Sequence, residues 1–203
     1  MMSESTVFIV DDDQEVREAL QLLMESVGLN VELFSSATLF LEQFDETRPG
    51  CIVLDVRMPG ISGLDLQMQL AEKPLCPPII IITGHGDVPM AVRAVQAGAV
   101  DFIEKPFNDQ ALLDSVHRAL EQDAQQRGEA SHIADIQQRL SRLTPREREV
   151  LELVVQGLRN KLIASELSVS QSTVEAHRAK VMDKMEAKTL SDLMRMMLTI
   201  ESA

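Results

Sequence analysis

Five short runs of β-branched and aliphatic residues, VFIV (7–10), VELF (31–34), CIVLD (51–55), IIIIT (79–83) and VDFI (100–103), are separated by segments of helical period. Strands that alternate with helices admit little besides a parallel sheet, because right-handed crossovers lay a helix over each pair of strands. A run as apolar as IIII needs cover on both faces, so helices are expected on both sides. Their ends carry recognisable signals. Asp13 can cap a helix that reaches Val27 and stops at Gly28; Asp87 can cap one that stops at Gly98; Asn108 can cap one that ends near Leu120. Residues 1–120 are therefore expected to form an α/β doubly wound domain on a five-stranded parallel sheet.

This architecture collects functional groups beyond the carboxyl ends of its strands, where strand order reverses. Asp11 and Asp12 end the first strand, Asp55 the third and Thr83 the fourth, and Lys105 follows the fifth. Like carboxylates 4 Å apart repel by about 1 kcal/mol even in bulk water, so the FIVDDD segment asks for a cation. Acidic oxygens at a strand end suit Mg²⁺, which keeps several waters and takes a few carboxylates plus a phosphate oxygen. A lysine and a threonine hydroxyl complete a pocket for a phosphoryl group on the remaining carboxylate. His85, in the loop beside this edge, is assigned no chemistry.

Charge is distributed unevenly. Residues 1–120 hold 7 Lys/Arg against 19 Asp/Glu, net −12, whereas residues 121–203 hold 12 against 13, net −1. From Arg142 to Arg195 ten basic residues face eight acidic ones, the one part of the chain suited to a polyanion. No apolar run is long enough for a membrane span, and the MMSEST start lacks the pattern of an export signal, so a cytoplasmic protein is expected. Cys51 and Cys76 sit in apolar surroundings and read as reduced core residues.

The motifs DDD (11–13), LDVRMPGISG (54–63), ITGHGD (82–87) and DFIEKPF (101–107) resemble the receiver domain of bacterial two-component response regulators, in particular the FixJ type. The resemblance implies a flavodoxin-like receiver in which a sensor histidine kinase phosphorylates Asp55. It further implies Mg²⁺ held by Asp12, Asp55 and the backbone carbonyl of Arg57, with Asp11 reaching the ion through water. Thr83 and Lys105 would act on the phosphoryl group, and Thr83 and Phe102 would form the switch. Phosphorylation would then make a homodimer through the helix after Asp87 and the fifth strand.

Residues 121–140 are polar, with a sparse apolar stripe at Ile133, Ile136 and Leu140, and read as a partly helical linker interrupted by Gly128 and Ser131. Beyond it Thr144, Pro145 and Glu147 make a helix start with a capping box. Gly157 stops that helix. A short helix from Asn160 to Leu167 and another from Gln171 to about Met185, capped by Ser170, have helix-turn-helix spacing. Val174, His177, Val181 and Met185 share an inner face. LSDLMRMMLTI (190–200) makes a fourth helix. Residues 141–203 resemble a LuxR-type output domain, a small all-α four-helix helix-turn-helix fold that binds promoter DNA. The resemblance implies base contacts from Glu175, Ala176 and Ala179 with Arg178 and Lys180 beside them, and backbone anchors at Asn160, Lys161, Thr173 and Lys184. RNA polymerase is a further partner of such a regulator.

Two other classes fit less well. A phosphatase working through an aspartyl phosphate typically places an acid two residues after the nucleophile, where this chain has Arg57. A ligand-gated DNA binder needs an enclosed aromatic pocket, and the chain has neither Trp nor Tyr.

Overall fold

The computed structural model describes residues 5–73, 75–84 and 86–202. Two compact units divide between Arg127 and Gly128.

In the first unit β1 (Thr6–Val10), β2 (Asn30–Phe34), β3 (Gly50–Asp55), β4 (Ile79–Thr83) and β5 (Asp101–Glu104) form one parallel sheet in the order β2-β1-β3-β4-β5. Its helices are α1 (Gln14–Ser26), α2 (Ala37–Gln43), α3 (Gly63–Ala71), α4 (Val88–Gln96) and the first part of α5 (Asp109–Ser141), which continues into the second unit. Period-two alternation splits the strands between two cores. Phe8, Val10, Ile52, Leu54 and Ile81 pack with Phe34, Phe40, Leu66 and Leu70 on one face. Val7, Ile9, Val53, Ile80 and Ile82 pack with Leu20, Met24, Leu112 and Val116 on the other. Each such side chain, withdrawn fully from water, contributes about 1.5–3 kcal/mol.

The expected caps are in place. Asp13 accepts the N–H groups of Glu15 and Val16, and Asp87 accepts that of Met90. Gly28 and Gly98 follow their helices with positive φ, a conformation that glycine adopts without the Cβ clash other residues suffer.

One expectation needs correction. The helix opened by Asn108 does not end near Leu120 but continues to Ser141 through Gly128 and Ser131. The cause is tertiary. Asp123, 3% exposed, accepts the Gly50 N–H at 2.9 Å and the Arg127 Nε–H at 2.9 Å. Arg127 then donates to the carbonyls of Glu46, Thr47 and Arg48 at 2.8–3.1 Å. This fork satisfies three loop carbonyls before β3 and carries α5 two turns beyond its expected end. A Cβ on Gly50 would lie 1.9 Å from the Thr6 carbonyl oxygen, so the loop depends on glycine there.

The second unit contains α6 (Pro145–Val155), α7 (Asn160–Glu166), α8 (Gln171–Lys184) and α9 (Leu190–Glu201). The capping box of Thr144 and Glu147 is present, Gly157 ends α6 with positive φ, and Ser170 caps α8. Val150, Leu151, Val154, Ile163, Val174, Val181, Met185 and Leu193 form its core together with Ile136 from the end of α5.

Removing Arg127 while Asp123 stays buried leaves a carboxylate without its cation, which typically costs about 3–5 kcal/mol. Urea unfolding of Arg127→Ala should show the first unit destabilised by about that amount. Replacing Asp123 by Asn in the Arg127→Ala background removes the unpaired charge and should recover part of the loss.

Candidate phosphoacceptor site and nucleic-acid interface

The carboxyl edge of the sheet gathers most of the predicted groups. Asp55 ends β3 and is 6% exposed; Asp11, one residue past β1, is 1% exposed; Thr83 ends β4 and is fully buried. Lys105, one residue past β5, donates to Asp11 Oδ2 at 2.7 Å and to Asp55 Oδ1 at 2.8 Å. Its own N–H bonds the Thr83 carbonyl at 2.7 Å, which fixes the loop to β4, and the Lys105–Pro106 peptide is cis. Asp55 Oδ2 accepts the Arg57 N–H at 2.6 Å, and Asp11 Oδ1 accepts that of Asp13 at 2.9 Å.

Burial raises the Asp11 carboxyl above its ordinary pKa, against the opposing hydrogen bonds from Lys105 and the Asp13 amide. Burial also works against the Lys105 ammonium, but its bonds to Asp11 and Asp55 outweigh this and its pKa is raised. The ammonium therefore stays charged between the acids. Phe102 is half-buried; a Cβ on Gly86 would meet its ring at 3.0 Å and the Thr83 methyl at 3.4 Å, so the loop leaves no room for a side chain beside the switch pair.

The three N-terminal acids do not act alike. Asp11 turns inward to Lys105, whereas Asp12 is exposed and lines an open pocket with Arg57, Met58, Met90 and Arg93. No cluster of three or more His, Cys, Asp or Glu that could hold a metal is present among the described residues. Exposed Asp12, and Asp55 at the end of β3, offer hard carboxylate oxygens at this edge. Such a hard set suits Mg²⁺, which completes its octahedron with water, and in this respect the residues fit the ion. His85 lies outside the described residues.

On the second unit Glu175, Ala176, Ala179 and Lys180 are exposed along α8, and Lys161 is exposed on α7. Thr173 and Arg178 are half-buried; Arg178 donates to Asn160 Oδ1 at 3.0 Å, and Asn160 Nδ2 lies 3.4 Å from Glu175 Oε1. The three side chains form one network across the two helices. Val174, Val181 and Met185 are buried as expected, while His177 is only half-buried and its Nδ1 has no hydrogen-bond partner among the described residues.

Lys184 has a different occupation from the backbone anchor expected of it. Its ammonium donates to Glu147 Oε2 at 2.6 Å and to the Arg142 carbonyl at 3.1 Å. Glu147 is 3% exposed, so the lysine is the counter-charge of a buried acid. The capping-box motif disclosed Glu147 only as a cap; its cation comes from the far end of α8, a pairing across 37 residues. The Arg57 amide, which holds Asp55 through its own backbone, carries no side-chain signal either.

A five-stranded parallel sheet with acids and a lysine at its carboxyl edge, followed by a helix-turn-helix unit, defines a signal-receiving DNA-binding protein. Residues 7–117 match the response regulator receiver domain family, and residues 141–197 match the bacterial regulatory proteins of the luxR family. The chain belongs to the response regulators, as a transcriptional regulator with a receiver and a LuxR-type DNA-binding domain. It is 47% identical to the transcriptional regulatory protein FixJ of Rhizobium meliloti, over 97% of each chain. It is also 47% identical to the response regulator protein TodT of Pseudomonas putida F1, over 94% of this chain and 84% of the relative. Among solved structures, the response regulator StyR covers 96% of this chain at 45% identity and a TM-score of 0.89. Receivers of this kind are phosphorylated by a histidine kinase and generally use Mg²⁺. Among the described residues no helix is long and apolar enough to cross a membrane.

The Lys184 hydrogen bond, followed by the Thr144 amide, holds the Glu147 carboxyl down at about 2, against an ordinary value of 4.5. An acid whose pKa is lowered by folding contributes stability that is complete above 4.5 and is lost as pH falls through about 2. Acid unfolding of the second unit should therefore steepen across that window in the native chain, and Glu147→Gln should flatten it. Circular dichroism of both chains from pH 6 to 2 checks the difference.

Proposed function

We propose that Asp55 is the phosphoacceptor and that its phosphorylation controls binding of promoter DNA by the second unit. The observation that carries this reading is the Asp55 carboxylate at the end of β3 with the Lys105 ammonium 2.8 Å away and buried Thr83 on the neighbouring strand. An oxygen of Asp55 attacks the phosphorus of a phosphohistidine in line. The P–N bond breaks, its electron pair returns to the imidazole nitrogen, and that nitrogen takes up a proton from water. Asp12, Asp55 and the Arg57 carbonyl would hold Mg²⁺, with Asp11 reaching it through water; when bound, the ion supplies positive charge against the phosphoryl oxygens. Lys105 supplies further positive charge to the same oxygens.

The product replaces one carboxylate charge by a group of about −1.5 to −2 with strong acceptor oxygens. Lys105 then has a stronger partner than Asp55 offered before, and the Thr83 hydroxyl has an acceptor to turn to. Phe102 fills the space Thr83 leaves. Because the Gly86 loop has no room for a side chain beside Phe102 and Thr83, a rearrangement of that pair presses on the loop that leads into α4. Val88, Val92 and Val95 stand exposed on α4 and supply the apolar face for a homodimer. The only catalysis assigned to the chain is on its own Asp55.

We place the receiver at residues 1–127, extending the expected boundary of 120 by the Asp123–Arg127 fork, with the linker at 128–140 and the output domain from 141. Glu175, Ala176 and Ala179 face the major groove, where a carboxylate accepts from cytosine N4 and a methyl touches thymine. Lys161, Thr173 and Lys180 meet phosphates, and Asn160 orients Arg178. Lys184 is removed from this set. RNA polymerase is the further partner at the promoter.

Intact-mass measurement after incubation with acetyl phosphate and Mg²⁺ tests the acceptor. One phosphoryl group should add to the native chain and none to Asp55→Asn; a gain of equal size in the variant contradicts the assignment. On the DNA side, Lys161→Ala should weaken binding to all duplexes alike and lower the salt slope by about 1. Glu175→Ala should instead lose about 1–3 kcal/mol of discrimination at a single base pair. Fluorescence anisotropy over a salt and sequence series separates the two.

A further inference from the structure

α4 is the most lightly held helix of the sheet layer. It fully buries Ala94 alone among the described residues, while α1 and α2 bury two residues each and α3 five. Few buried contacts place a helix at the low end of local stability, so its position is set by a small number of attachments. At the N-terminal end, the Gly86 loop rests on Phe102 and Thr83. In the C-terminal half, Gln67 reaches across from α3 and donates from Nε2 to the Ala94 carbonyl at 2.9 Å. That carbonyl also accepts the Ala99 N–H at 3.0 Å, so it is the shared acceptor where α4 turns into β5.

Stability does not explain a glutamine at this point. Gln67 is 1% exposed, and its Oε1 is buried with no hydrogen-bond partner among the described residues. A buried acceptor without a protein partner costs free energy that an apolar side chain of the same shape avoids. What the amide supplies is position. Its own helix is rigidly seated: the Gly63 N–H bonds the Val56 carbonyl at 3.0 Å, and a Cβ on Gly63 would lie 2.1 Å from the Asp55 carbonyl oxygen. α3 thus starts directly against the backbone that carries Asp55, and one turn later holds α4.

We infer that Gln67 is the pivot of α4, a positioning residue that pins Ala94 before and after phosphorylation. The rearrangement of Thr83 and Phe102 then swings the N-terminal end of the helix, with exposed Val88 and Val92, in place of sliding the whole helix along the sheet. The inference rests on the phosphorylation reading above and adds where the motion is anchored.

The test uses full-length native chain and Gln67→Leu, treated with acetyl phosphate and Mg²⁺ and followed by intact mass and sedimentation equilibrium. Both chains should gain one phosphoryl group, while the phosphorylated variant dimerises more weakly by about fivefold or more, the lower end of coupling between linked sites. Equal dimerisation with equal mass gain overturns the pivot alone. No mass gain in either chain overturns the phosphorylation reading and the pivot with it. Hydrogen exchange of the Gln67 side-chain amide in the native chain, read by ¹⁵N NMR, gives a result that does not depend on the variant folding. Protection in both states is expected; protection lost on phosphorylation overturns the pivot.

Discussion

Two carboxylates withdrawn from water at the ends of neighbouring strands oppose the fold that brings them together, and here one ammonium lies between them. Lys105 is within 2.8 Å of both Asp11 and Asp55. Its reach depends on β5 lying at the sheet edge next to β4, and on the bond from its backbone to the Thr83 carbonyl. The sheet order, the exposure of Asp12 and the position of Thr83 all acquire their chemical meaning from this bridge. It is also an arrangement that a phosphoryl group can disturb, because the added charge competes for the same ammonium.

The second unit uses the same device for a different purpose. Glu147 is buried beneath the helix-turn-helix and paired with Lys184 at 2.6 Å, which ties the first turn of α6 to the last turn of α8. A buried pair of this kind adds little net stability over an apolar pair, but breaking it is costly, so it fixes where α8 lies relative to α6. The exposed row of Glu175, Ala176 and Ala179 is presented by a helix held in that way.

What the sequence disclosed, and what it did not, follows from the range of the interactions. Strand runs, caps at Asp13, Asp87, Thr144 and Ser170, and the glycine stops are local signals and agree with the structure. The convergence of Asp11, Asp55, Thr83 and Lys105 was also legible, because a parallel sheet sends every strand end to one edge. The end of α5 was not: helix propensity weakens at Gly128, but Asp123 and Arg127 find partners some 70 to 80 residues earlier in the chain. Lys184 looked like a phosphate anchor because charge is visible in sequence and its partner is not. Gln67 carries no pattern at all, since an amide on an apolar helix face is informative only once its neighbour is known.

The central claim is that the charge state of Asp55 sets the affinity of the output domain for DNA. The direct measurement is the dissociation constant of the full chain for a two-fold-symmetric promoter duplex, at fixed salt, before and after phosphorylation, with Asp55→Asn as reference. Linking two half-site contacts through a dimer should tighten binding by about 10²-fold or more in the native chain and leave the variant unchanged. Equal affinity of the phosphorylated and unphosphorylated native chain would contradict the account.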